Sequence, residues 1–267
     1  MFALAALPAV VPMVQPHQLD LDECAQWLAW ETWQSGADAL PATDVPGDRK
    51  RAVAELLARH YLVRDRNGAL RFPTSGLLDF YLAVVVFNSI SSGSSTRLAT
   101  AQTTHATDLV LAQFAEADAD STANLARSMT GGPSAVLRVN AAGVLAKMDS
   151  PAMTDSVVTA LRSDHAARAL YLTAVASRVL RISWADAARM ATGSAISGDG
   201  VEALAAELRN PRDAAARWCS AALLYRAGAA NRANVRAAVA DALGSERSAE
   251  NLRSMAALTS GMDPITL

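Results

Sequence analysis

An arginine followed by small residues three and four positions later, and by leucine at seven, occurs twice in the second half of this chain. The copies are Arg138-Val139-Asn140-Ala141-Ala142-Gly143-Val144-Leu145 and Arg217-Trp218-Cys219-Ser220-Ala221-Ala222-Leu223-Leu224. Arg168, Tyr171, Leu172 and Val175 form a looser third copy. Residues at these offsets share one helix face. Each copy precedes a second apolar stretch: Val157 to Leu161, Val201 to Leu208 and Val235 to Leu243. Asp149-Ser150-Pro151 and Asn210-Pro211 punctuate them, as proline does at helix starts. A helix pair cannot bury its apolar face alone, so the pattern predicts pairs that stack and share one core. The middle copy carries extra sequence, Ile182 to Gly200, with its own short helix over Trp184 to Ala191.

Composition supports a helical reading. Alanine, the best helix former, makes up about a fifth of the residues. Aromatics are only 5%, so close helix–helix packing is expected. The basic residues are nearly all Arg, with Lys only at 50 and 147. Arg and Ala usage together fit a high-GC genome of actinobacterial type. The net charge of -2 provides no global field toward nucleic acid or acidic membranes. The expected fold class is all-α with one small β-hairpin: a winged-helix-like first half, 1–92, connecting helices over 93–130, and HEAT-like repeats over 131–267.

The first half carries most of the tryptophan. Met1 to Gln15 is apolar but lacks a basic start and is broken by Pro8 and Pro12. It reads as an arm on the body, too short to span a bilayer, and the protein is expected to be cytoplasmic. Asp20 and Asp22 suit the start of a helix over Glu23 to Gln34. Trp27 and Trp30, three apart, share its face, with Glu31 and Trp33 close by. Asp48 is placed to cap a helix over Arg49 to His60, whose apolar stripe is Val53, Leu56, Leu57 and Tyr61. Two alternating runs then flank Asn67-Gly68, a strong hairpin signal. A helix followed by a hairpin is the layout of a recognition helix and wing. An apolar helix, Gly76 to Ile90, follows, with Asp79 and Asn88 as its polar exceptions. Thr96 to Met129 reads as one or two helices, ended by Gly131-Gly132-Pro133.

The phrase Phe72-Pro73-Thr74-Ser75-Gly76-Leu77-Leu78-Asp79-Phe80-Tyr81-Leu82-Ala83 resembles the end of the winged-helix module in STAND/NACHT-type regulatory NTPases. Phe72, Leu77, Asp79, Phe80 and Ala83 fit that family's pattern, while Thr74 stands where it prefers His. The resemblance covers Arg49 to Val84, and the family often continues into helical repeats that sense ligands or partners. The block from Arg138 to Ala191 also looks like the helical sensor regions of actinobacterial helix-turn-helix regulators. The phosphate-cradling G-x-x-x-x-G-K-[ST] is absent from the chain. The resemblance therefore implies at most a regulatory remainder, without nucleotide hydrolysis.

Chemical signatures are few. His17, His60, His105 and His165 have no partners at metal-ligand spacing, and no metal or cofactor is expected. Cys24 and Cys219 lie in apolar helical stretches and read as buried thiols. The leading expectation is an interaction or regulatory module that binds a protein or peptide, such as a small partner subunit. An enzymatic alternative, a cofactor-free biosynthetic enzyme acting on a small molecule by acid/base ring closure or elimination, would place Asp79, Glu31, His105 and Tyr81 as catalytic groups. Ligand contacts would then come from Trp27, Trp30 and Asp44, and, on the repeats, from Arg168, Arg217 and Trp218. A third reading is DNA binding. Arg49, Lys50, Arg51, Arg59, Arg64, Arg66 and Arg71 would meet phosphates through the helix and hairpin.

Overall fold

The computed structural model describes residues 16–100, 105–148, 159–161, 163–210, 214–247 and 249–264. The protein is all-α with one small hairpin. It divides into two compact units, Met1–Val85 and Val86–Leu267, with the boundary inside a helix. The apolar arm 1–15 and the Asp149-Ser150-Pro151 punctuation lie outside the described residues.

In the first unit, α1 spans Pro16–Ser35 and α2 spans Lys50–Ala58. Helix α1 begins about two turns earlier than the acids suggest. Pro16 starts it, where a missing N–H costs nothing, and Asp20 and Asp22 fall inside it. Asp48 does not cap α2. It sits in a 3-10 turn, Gly47–Arg49, that runs directly into the helix, whose N-cap Arg49 makes no side-chain cap bond. Helix α2 also ends early, because His60 adopts a left-handed φ of 60°. The turn at His60 removes Tyr61 from the apolar stripe and leaves it exposed. The core joins Leu21, Cys24 and Leu28 of α1 to Val53 and Leu56 of α2. Full burial of a leucine side chain contributes roughly 1.5–3 kcal/mol.

The hairpin pairs β1, Val63–Arg64, with β2, Leu70–Arg71, antiparallel. Asp65 organises its turn by accepting from the backbone N–H groups of Asn67 at 2.8 Å and Ala69 at 2.9 Å. Gly68 supplies the positive φ that such turns require. Leu40 and Leu70 exchange two backbone hydrogen bonds, both 2.8 Å, which ties the preceding loop to the hairpin. Helix α3, Ser75–Ser91, follows and crosses the unit boundary.

The second unit holds α4 His105–Glu116, α5 Ala119–Gly131, α6 Ala135–Leu145, α7 His165–Leu180, α8 Trp184–Ala191, α9 Gly198–Arg209, α10 Ala214–Arg226, α11 Ala233–Ser245 and α12 Ala249–Thr259. Five of these starts carry an N-cap side chain: Asp118, Ser134, Asp164, Ser183 and Ser197. Each satisfies donors that the first helical turn leaves free. The Ser121 and Ser183 hydroxyls hold the Asp118 and Asp186 carboxyls below the usual carboxylate range. Helices α6, α7, α10 and α12 pack in series. Helix α9 lies against α7 and α10, and α11 packs on α9 and α12. The short helix α8 packs on α7 and α10.

The three arginine copies occupy the same place in their helices. Arg138, Arg168 and Arg217 are each the fourth residue, of α6, α7 and α10. The residues three, four and seven positions later are all buried. Each arginine lies in the first turn of its helix while the following face fills the core. No helix among the described residues is long and apolar enough to cross a membrane.

Candidate functional site

The residues first expected to carry chemistry are distributed over both units. Glu31 is half-buried on α1. Asp44 is exposed in the 3-10 turn Ala42–Asp44 and accepts from the Thr43 hydroxyl at 3.1 Å. Asp79 is buried on α3, and Tyr81 follows it two residues later. The Tyr81 ring contacts Phe72 and Phe80, with centroids at 5.8 and 5.4 Å. Burial pushes its phenol above the usual value, and the nearby Asp22 and Tyr61 add to the shift. A phenol held protonated in this way is a poor general base at neutral pH. His105 opens α4 in the second unit.

The tryptophans of α1 have different partners. The Arg49 guanidinium stands 5.0 Å from the Trp27 ring centroid, a cation–π contact. Trp30 packs on Trp33, with centroids 5.1 Å apart. Trp27 also packs against the core of its unit. A cleft of about 320 Å³ lies beside Cys24, with Glu23, Asp48, Arg49, Arg51 and Glu55 around it. Two cations and three acids give it no strong preference for a charged ligand. Burial raises the Cys24 thiol, which Arg49 only partly offsets, so that group is a weak nucleophile.

Arg217 and Trp218 are not surface groups. Both are buried. Arg217 donates from Nε to the Leu208 carbonyl at 2.8 Å and from a terminal nitrogen to the Arg209 carbonyl at 3.1 Å. Those carbonyls are orphans at the end of α9. Its other terminal nitrogen pairs with Glu246, which also accepts from Asn251 at 2.8 Å. The Trp218 indole donates to the Pro264 carbonyl at 2.7 Å. Sequence reading placed Arg217 and Trp218 as ligand contacts on the repeats, but helix ends attract such donors equally well. Arg168 is half-buried, and its Nε has no hydrogen-bond partner.

A cleft the sequence did not single out lies in the second unit. It has a volume of about 610 Å³ and is lined by Lys147, Arg178, Arg181, Glu207, Leu109 and Ile182, among others. Lys147 pairs with Asp108 at 2.7 Å and Arg178 with Glu207 at 3.4 Å, all four side chains being largely buried. Asp108 fits because Gly143 of α6 leaves room: a Cβ there would stand 3.0 Å from its Oδ2. Arg181 ends α7 in the left-handed region, with φ 55° and ψ 42°. The only sequence sign of this site was the scarcity of lysine, which set Lys147 apart without indicating its partner.

Among the described residues no group of three or more His, Cys, Asp or Glu side chains is placed to hold a metal ion. The fold and site define a class no finer than an all-α protein with one hairpin and a helical second unit. No family model matches the chain, and neither curated proteins nor solved structures give a match.

Proposed function

We propose that the chain is a helical-repeat interaction module, HEAT-like in its second half, that regulates a protein or peptide partner without nucleotide hydrolysis. The observation that carries this reading is the equivalent placement of Arg138, Arg168 and Arg217 at the fourth position of helices packed in series. Arg217 ties the end of α9 to the loop after α11. Such stacking builds an extended surface from repeated units. Leu243 and Leu252 are exposed on α11 and α12, where they are available to a partner. The test is photo-crosslinking of the full chain in cells, with the photoreactive residue placed at exposed positions of α11 and α12. A single adduct recurring at neighbouring positions, and lost on competition with unlabelled chain, is expected. Dispersed labelling overturns the reading, as does turnover of a small molecule that Asp79→Asn abolishes without loss of fold.

DNA binding is the second reading, supported by the helix and hairpin of the first unit. Lys50, Arg51, Arg66 and Arg71 are exposed there and have no ion-pair partner among the described residues. Arg59 is less available, since it pairs with Glu55 at 2.5 Å. Neutralising four phosphates implies a salt slope of about -3.6 in log K against log[salt]. A gel shift with random duplex should show retardation at low salt that fades steeply as salt rises. Free duplex at every protein concentration at low salt would sink this reading.

A further inference from the structure

We infer that the cleft between α7, α9 and the end of α6 is a binding site for a carboxylate carried on a compact apolar body. Buried polar groups in native proteins are nearly always hydrogen-bonded, and an exception calls for a reason. One such exception, the Arg178 Nε, lies at this cleft. An ammonium has three N–H donors, and Lys147 uses one, on Asp108. A guanidinium has five. Arg178 uses one, at the long distance of 3.4 Å to Glu207, and its Nε is fully buried with no partner. The Arg178 side chain is only 9% exposed. Arg181 is exposed at the rim of the same cleft, and its side chain makes no hydrogen bond or ion pair among the described residues.

The charge around the cleft is unbalanced. Three cations and one carboxylate line it, with Asp108 standing behind Lys147. Lys147 and Arg178 are partly neutralised by their acids, and Arg181 is left over. One added negative charge would balance the site and engage the terminal N–H donors that Lys147, Arg178 and Arg181 leave unused. Leu109, Val179 and Ile182 supply apolar wall, and Leu109 is 41% exposed. An anion with an apolar body fits this lining better than a bare inorganic ion.

Arg181 supplies the second, independent observation. It ends α7 in the left-handed region, where glycine is the usual residue because a Cβ is disfavoured. Residues held in sparsely populated backbone regions cluster at ligand-binding sites. The site rests on this geometry and not on the interaction reading. Acid binding without a macromolecular partner would leave it standing.

The test uses the full chain at low salt, titrated with N-acetylleucine and followed by calorimetry or amide NMR. N-acetylleucinamide, the same body without the charge, should bind about tenfold more weakly or not at all. The variant Arg181→Gly should lose about tenfold in affinity while its melting temperature stays level or rises, since glycine relieves the strained turn. Two further arms locate the source of the acid. Tighter binding of acetyl-Ala-Ala-Leu points to a peptide C-terminus, and tighter binding of hexanoate to a free aliphatic acid. Equal binding of acid and amide, unchanged affinity in Arg181→Gly, or phosphate binding as tightly as N-acetylleucine would each overturn the inference. So would the absence of binding by every acid.

Discussion

Arg217→Ala should destabilise the chain by about 3–5 kcal/mol, the range for breaking a buried ion pair from one side. The substitution removes three contacts together. The carbonyls of Leu208 and Arg209 lose their donors, and the Glu246 carboxylate, 9% exposed, loses its cation. Asn251 remains beside Glu246 but is neutral and supplies a weaker hydrogen bond. Arg217→Lys should recover less than half of the loss. A single ammonium cannot reach two carbonyls and a carboxylate in the fixed fan of a guanidinium. Arg217→Met with Glu246→Gln should recover more, since it leaves no charge buried alone. Urea unfolding read by circular dichroism gives these values, and the alanine variant should melt about 10 °C lower. A loss below about 1 kcal/mol would mean that Arg217 does not tie α9 to the loop after α11.

The same arginine shows how far sequence reading reached. Its spacing to Ser220, Ala221 and Leu224 marked the buried face of α10 correctly, because that face follows from helix geometry alone. Its partners were not legible. Leu208 and Arg209 lie across a turn, and Glu246 lies 29 residues ahead, so no local pattern links them. The short helix Trp184–Ala191 was legible to the residue because Ser183 caps it and accepts from the Asp186 N–H. The hairpin was legible because Asn67-Gly68 supplies the turn conformation. The start of α1 was misplaced because acids at a first turn are only a preference of a few tenths to one kcal/mol, while Pro16 fixes the backbone itself. Tyr61 was misassigned for a similar local reason. One left-handed residue, His60, moves everything after it off the helix face. The cleft of the second unit depends on Asp108 meeting Lys147 across 39 residues, and periodicity carries no information of that range.

That pairing makes the sharpest energetic prediction in the second unit. Asp108→Ala should cost about 3–5 kcal/mol by leaving a nearly buried ammonium without its carboxylate. Lys147→Met should cost less, since Asp108 has other partners as well. The double variant should be more stable than the sum of the two losses by about 2 kcal/mol, within the range for residues in direct contact. Gly143 provides an independent check through a change of sign. Alanine in place of glycine inside a helix ordinarily stabilises by about 1 kcal/mol. At Gly143 the new Cβ would press on the Asp108 carboxylate at 3.0 Å, against an oxygen that Lys147 holds in place. Gly143→Ala should therefore destabilise the native chain yet stabilise the Asp108→Ala variant, where the space is empty. The comparison needs four proteins and one urea series. If Gly143→Ala has the same sign in both backgrounds, the carboxylate does not occupy the space that the glycine leaves. The buried pair would then not be what holds α4 against α6.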